Sequence, residues 1–179
     1  QVVRLLVQLM KPKAGMAIYD PTAGSGGMLI QSAQYVEEQG QNARNLSLAG
    51  QDNNGTVWSI CKMNMILHNV LDADIRLGDT IEDPQHTEGG SLIKYDRILA
   101  NPPFSQNYSK DNMQFPSRFR YGYAPETGKK GDLMFVQHMI ASLKDNGKMA
   151  CIVPHGVLFR GGAEKVIREG IVKNNLVEA

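Results

Sequence analysis

Four short, mostly apolar runs in this chain each close on a side chain that can accept a hydrogen bond. Met16-Ala17-Ile18-Tyr19 ends on Asp20, residues 46–51 end on Asp52, residues 73–77 end on Gly78-Asp79, and residues 95–100 end on Asn101. Runs of this length, bounded by turn residues, read as buried strands. Helical spacing separates them. Met28, Leu29, Ser32, Ala33 and Val36 predict a helix over about 26–39, and residues 56–70 predict a second, longer one. Val2, Val3, Leu5, Leu6, Leu9 and Met10 predict a helix over 1–10, stopped by Lys11-Pro12-Lys13-Ala14-Gly15. Further on come an amphipathic helix over 132–143, a turn at Asp145-Asn146-Gly147, a strand over 148–153 and a helix over 162–173. Residues 80–91 and 105–131 read as irregular. Strands alternating with helices predict an α/β fold: right-handed βαβ units and a mostly parallel, doubly wound sheet with helices on both faces. Ligands bind such sheets outside the carboxyl ends of the strands, so Asp20, Asp52, Asp79 and Asn101 fall on one rim.

The first strand runs into Asp20-Pro21-Thr22-Ala23-Gly24-Ser25-Gly26-Gly27-Met28-Leu29, a small-residue turn opening a helix. Small residues let backbone come close to a ligand, and N–H groups at a helix N-terminus can face an anion. A tight turn without a ligand has the same local pattern. The spacing is neither the dinucleotide Gly-x-Gly-x-x-Gly nor the Gly-Lys-Ser/Thr of a phosphate loop, which favours a small anion such as an amino-acid carboxylate over a pyrophosphate. Asp52, 32 residues after Asp20, can accept both hydroxyls of a ribose. Asp79 can accept from the exocyclic amine of an adenine ring, or serve as a cap or turn residue. Together these positions describe an adenosine-bearing ligand.

Asn101-Pro102-Pro103-Phe104 is the second chemical signal. Two prolines fix the backbone and remove two N–H donors, leaving carbonyls free to accept. The Asn101 side-chain carbonyl adds an acceptor, and Phe104 offers a face for a planar group. The arrangement suits a planar substrate bearing an amine; a rigid loop with a core phenylalanine is the plain alternative.

The 179 residues and formal charge of +1 fit one domain. No run of apolar residues is long enough for a membrane helix, and no signal peptide is visible. Cys61 and Cys151 lie in apolar surroundings, as reduced core residues of a cytoplasmic protein would. His68 and His138 read as structural residues in helices, His86 lies in a polar loop, and His155 follows a strand end. No two histidines have metal-ligand spacing, and no metal is expected. The nine methionines read as core filler. The first and last residues look like cuts within elements, so the chain is expected to be a piece of a longer protein.

Asp20–Leu29 resembles the cofactor motif, and Asn101–Phe104 the catalytic motif, of S-adenosylmethionine-dependent amino-methyltransferases. They occur in the same order. A closer resemblance is to the modification (methylase) subunit of type I restriction-modification systems. Gly50-Gln51-Asp52, residues 64–68, Gly78-Asp79-Thr80, residues 132–139 and residues 152–159 carry that likeness, with His155 where the family more often has Asn. The resemblance implies a Rossmann-like S-adenosylmethionine-dependent methyltransferase fold and methyl transfer to N6 of a flipped-out adenine in double-stranded DNA. It implies that Asp20, Thr22, Ala23, Gly24, Ser25, Gly26 and Gly27 line the methionine end of the cofactor, with Asp52 at the ribose and Asp79 at the adenine amine. Asn101 and the Pro102 carbonyl would hold the target nitrogen, Pro103 would stiffen the turn, and Phe104 would stack on the base. Direct attack on a sulfonium needs neither metal nor general base; positioning supplies the acceleration. The implied partners are DNA, a specificity subunit and a restriction (nuclease) subunit, with no membrane.

Residues 105–131 fit the substrate side. They hold Lys110, Arg118, Arg120, Lys129 and Lys130 against Asp111 and Glu126, interleaved with Tyr108, Phe115, Phe119, Tyr121 and Tyr123. Basic plus aromatic is the composition of a nucleic-acid-facing loop, and an ordinary solvated loop is the alternative. Two other readings stay open at this level: a methyltransferase acting on protein glutamine or on RNA, and a catalytically silent DNA-binding or assembly module.

Overall fold

The computed structural model describes residues 1–104, 106–111, 113–128 and 130–178. Helix α1 (Val2–Met10) ends at Lys11, whose left-handed backbone (φ 46°) lets its N–H donate to Val7 O at 2.9 Å. Pro12 forbids another turn. Of the apolar positions in α1, Val7 is buried, whereas Val2, Leu5 and Leu9 lie on its open side. Strand β1 (Ala17–Asp20), helix α2 (Gly27–Glu38), strand β2 (Ser47–Asp52), helix α3 (Gly55–Leu67) and strand β3 (Asp74–Leu77) follow. Asn54 caps α3 by accepting the N–H groups of Thr56 and Val57. These elements match the sequence expectation to within a few residues at each end.

The next stretch departs from it. Residues 80–91 contain part of a small hairpin, β4 (Thr87–Glu88) and β5 (Ser91–Leu92). Gly89 and Gly90 turn it with φ values of 56° and 76°, a conformation suited to a two-residue hairpin loop. Strand β6 (Tyr95–Ala100) then returns to the main sheet. Helix α4 (Asp132–Ala141) leads directly into β7 (Leu143–Cys151), so the expected turn at 145–147 lies inside a strand. Tyr95 pairs with Leu143 and Arg97 with Lys148, so the extra residues bulge out between them. A Cβ on Gly147 would sit 2.8 Å from Tyr95 O, which is why glycine allows the strand to close there. Helix α5 (Ala163–Lys173) follows, and residues 174–178 form no strand.

The main sheet has the order β3-β2-β1-β6-β7, with every pairing parallel. Successive strand residues face opposite sides. Ile18, Leu48, Ile75 and Leu99 meet α1, α2 and α3 in one core cluster. Tyr19, Ala49, Ile98 and Ala100 meet Met139 of α4 in another. A third cluster joins α4 and α5 to Tyr108, Phe119 and Ala124. Helix α4 is therefore buried nearly all round, rather than on one face as its pattern suggested. The chain order reverses between β1 and β6, which places the switch-point crevice between Asp20 and Asn101.

No described helix is long and apolar enough to cross a membrane.

Candidate active site

Three strand ends are laced together before any ligand is considered. After β1, Ala23 N–H donates to Gln51 O at 2.8 Å and Gly24 N–H to the Asp52 carboxylate at 3.0 Å. Asp52 O accepts from Gly78 N–H at 2.9 Å, and Asn53 Nδ2 donates to the Asp79 carboxylate at 3.2 Å. The Thr80 hydroxyl closes the ring by donating to Pro21 O. Asp79 also accepts the N–H groups of Ile81 (2.8 Å) and Glu82 (2.9 Å). The turn-capping alternative for Asp79 is thus realised, and its second oxygen lies on the rim beside Asn53.

The glycine turn is sterically demanding. Gly24 and Gly26 have φ values of 54° and 86°. A Cβ on Gly26 would overlap Met65 Cε and lie 3.1 Å from Cys61 Sγ. Asn64 Nδ2 donates to Ser25 O at 3.0 Å, so α3 holds the turn from outside. Ala23 and Gly26 are buried, Thr22, Gly24 and Gly27 are half-buried, and Ser25 is exposed.

Asp20 is 2 % exposed and accepts the Thr22 N–H at 3.0 Å. Burial pushes its carboxyl up to about 7, and the neighbouring Asp52 charge pushes the same way. The Thr22 hydroxyl is shielded from solvent and lies toward the same carboxylate; with the Thr22 N–H it pulls the other way, favouring the ionised form. A buried acid poised between its two forms fits a ligand that brings its own donor.

Across the switch point, Ala100 pairs with Cys151, and β6 gives way to Asn101-Pro102-Pro103-Phe104. Pro102 is buried; Asn101, Pro103 and Phe104 are exposed, Phe104 to 47 %. The phenylalanine is therefore open for stacking and not a core residue. Among the described residues, no group of three or more His, Cys, Asp or Glu side chains is placed to hold a metal ion.

The basic, aromatic segment is only partly outward-facing. Arg118 is 4 % exposed. Its guanidinium donates to the carbonyls of Thr80 (2.8 Å), Ile81, Gln114 (2.9 Å) and Phe115 (3.2 Å), and to His138 Nδ1 at 2.7 Å. Tyr108 and Phe119 are buried too, and Lys110 pairs with Glu126 at 3.1 Å. Arg118 does not reach solvent because four carbonyls and a core imidazole meet its fork; Arg120 remains exposed. Lys129 lies outside the described residues. The segment also contains a short 3-10 turn, Pro116–Phe119.

The histidines sort differently from expectation in two cases. His68 is exposed at the end of α3. His86, expected in a polar loop, is 3 % exposed and donates from Nε2 to Gly50 O at 2.9 Å. His138 is buried as expected. Arginine only donates, so His138 Nδ1 accepts and the ring proton sits on Nε2, facing the Tyr19 hydroxyl at 3.4 Å. Burial and the Arg118 charge hold His138 well below the ordinary histidine range. Gln51, fully buried, holds the 79–85 turn by accepting from Gln85 N–H at 2.9 Å and donating to Asp83 O at 3.1 Å. Neither Arg118 nor Gln51 carried a structural signal in the sequence.

A five-stranded parallel sheet of this order, with acids on the first three strand ends and a proline-stiffened amide on the fourth, has the fold of class I S-adenosylmethionine-dependent methyltransferases. One such enzyme from Listeria monocytogenes superposes with a TM-score of 0.72 at 17 % identity, covering 96 % of this chain and 49 % of that one. The chain belongs to the N-6 DNA methylase family, whose model matches residues 1–179. It is 33 % identical over 182 residues to the type I restriction enzyme HindI methylase subunit of Haemophilus influenzae, covering 99 % of this chain and 39 % of that protein. It superposes on the crystal structure of a type I restriction-modification methyltransferase subunit from Streptococcus thermophilus with a TM-score of 0.86 at 33 % identity, covering 99 % of this chain and 38 % of that one. The chain thus spans about two fifths of the length of these two relatives.

Proposed function

We propose that residues 1–179 form the catalytic domain of a longer modification subunit, which methylates N6 of adenine in double-stranded DNA within a cytoplasmic type I restriction-modification complex. The carrying observation is the seam between β1 and β6: a glycine turn with a buried acid on one side, and Asn101-Pro102-Pro103-Phe104 on the other. S-adenosylmethionine, when bound, supplies an electrophilic methyl group. Asp20 and the turn at 22–27 would hold its amino-acid end, Asp52 its ribose and Asp79 its adenine amine. On the acceptor side, Asn101 and the Pro102 carbonyl would accept from the two N–H bonds of the target amine and orient its lone pair. The same two acceptors stabilise the positive charge that grows on that nitrogen. Phe104 would stack on the extruded base. A specificity subunit would choose the sequence, and a restriction subunit would join the same complex.

The test is competitive. The full-length polypeptide with its specificity subunit is given labelled S-adenosylmethionine together with DNA, RNA and protein. Label recovered as N6-methyladenine in DNA is expected. Label in glutamine or in RNA overturns the acceptor, and saturable DNA binding with no transfer from an intact cofactor pocket overturns the activity.

A further inference from the structure

Strands β6 and β7 leave the sheet side by side. Ala100 pairs with Cys151, and Ile152 N–H still donates to Ala100 O at 3.0 Å. One chain continues into Asn101–Phe104 and the other into Val153-Pro154 and a 3-10 turn, His155–Leu158. This second exit has no part in the chemistry described above, yet it opens on the same rim.

The turn is firmly held from beneath. Val157 is 4 % exposed and packs in the cluster of α4 and α5. Arg160 Nη1 pairs with Asp132 and with Glu164, each at 3.2 Å, and both carboxylates are almost fully buried. Arg168 Nη1 donates to Val157 O at 2.9 Å and to Arg160 O at 3.0 Å. A Cβ on Gly156 would lie 2.5 Å from Arg160 Nε, so the turn is closely seated on the guanidinium. On this support Leu158 and Phe159 stand 62 % and 65 % exposed, and the His155 ring meets Phe159 edge-on at 5.0 Å. The brace thus presents two adjacent large apolar side chains outward on a fixed support.

We propose that Leu158 and Phe159 form a wedge that enters the DNA duplex where the target adenine has left it; this rests on the adenine reading given above. Extruding a base breaks its stacking on both neighbours and leaves a gap. Apolar side chains pushed between base steps replace that lost contact. Phe104 receives the extruded base, while Leu158 and Phe159, on the neighbouring strand exit, occupy the hole. The occupant is DNA because the turn follows β7, whose exit is hydrogen-bonded to the exit of β6 that carries Asn101–Phe104. His155 stiffens the wedge by backing the Phe159 ring.

The test uses the full-length polypeptide with its specificity subunit and a duplex bearing the site read from N6-methyladenine in the host genome. Parent and Leu158→Ala/Phe159→Ala complexes are compared on a matched duplex and on one with an abasic site opposite the target adenine, where extrusion is cheap. The double variant should lose about tenfold or more in kcat/KM on the matched duplex. On the abasic duplex it should stay within about threefold of the parent, with cofactor affinity and subunit assembly unchanged. Equal losses on both duplexes, no loss on the matched one, or failure to assemble with the specificity subunit would each overturn the wedge. A parent complex that methylates neither duplex refutes the adenine reading itself, and the wedge falls with it.

Discussion

The Asp52 carboxylate accepts the backbone N–H of Gly24 at 3.0 Å, so the acid that closes β2 also shapes the turn that follows β1. The same group accepts Asn54 N–H at 2.9 Å through its other oxygen. Replacing Asp52 by Ala should therefore weaken S-adenosylhomocysteine binding about tenfold or more, from loss of a charge-assisted bond worth roughly 1.5–3 kcal/mol. Asp52→Asn, which keeps one acceptor oxygen, should lose less. Calorimetric titration of the three proteins checks this; an alanine variant that binds like the parent would remove Asp52 from the site.

Gly26 combines a positive φ of 86° with the close approach of Met65. Gly26→Ala should destabilise the fold by roughly 2–4 kcal/mol, the left-handed backbone contributing about 1–2 and the steric overlap the rest. Adding Met65→Ala should relieve the overlap and leave the backbone cost, partly offset by the new cavity. Urea denaturation of the single and double variants would show non-additivity of that sign. Strict additivity would mean the two positions do not touch.

Asp20 has a folded-state value of about 7, raised above the unfolded carboxylate range by burial. The folded state therefore binds the proton more tightly than the unfolded state between about pH 4 and 7. Its contribution is fully present below about pH 4 and is lost as pH rises through about 7, up to roughly 4 kcal/mol. The buried neutral His86 and His138 have depressed values and act in the opposite direction. The effect is thus isolated as the difference between the parent and Asp20→Asn. The variant should gain stability relative to the parent as pH rises from 5 to 8.5. In the parent, cofactor affinity should rise over pH 6 to 8 with proton release, because a ligand amine needs the carboxylate form. Flat difference curves would show that Asp20 is ionised throughout.

Arg118 is a brace within the protein rather than a contact for phosphate. Arg118→Lys should lower unfolding free energy by about 2–4 kcal/mol, because an ammonium cannot reproduce a fork that reaches four carbonyls and an imidazole. It should leave the salt dependence of DNA binding unchanged. Arg120→Ala, at an exposed position, should reduce that slope by about one. Measuring DNA affinity against salt for both variants separates the two roles; a reduced slope for Arg118→Lys would contradict its burial.

The strand ends at Asp20, Asp52, Asp79 and Asn101 were legible because strand, turn and helix announce themselves locally, by apolar runs, glycine and spacing. The β4–β5 hairpin was not, since two-residue strands have no period to read and Gly89-Gly90 alone marks only a turn. Arg118 read as a solvent-facing cation because its acceptors come from residues 80, 81, 114 and 115 and from α4, joined only by the fold. His86 and Gln51 were obscure for the same reason: the His86 Nε2 and the Gln51 amide find their partners across more than thirty residues of sequence. Side chains were legible where their roles are set by their own turn, and hidden where a distant carbonyl decides whether burial is tolerable.

The sheet order also dictates a timetable. β1 lies at its centre, and β2 and β3 add to one side of it in sequence order, while its other edge waits for β6. As the chain emerges from the ribosome, the edge of β1 carrying Ile18 and Tyr19 stays unpaired until Arg97 and Ile98 have been made. For that interval the half-sheet has an open, apolar edge, the kind that invites pairing with another chain. The strand that shields the nascent protein from its neighbours is the one that runs out into Asn101.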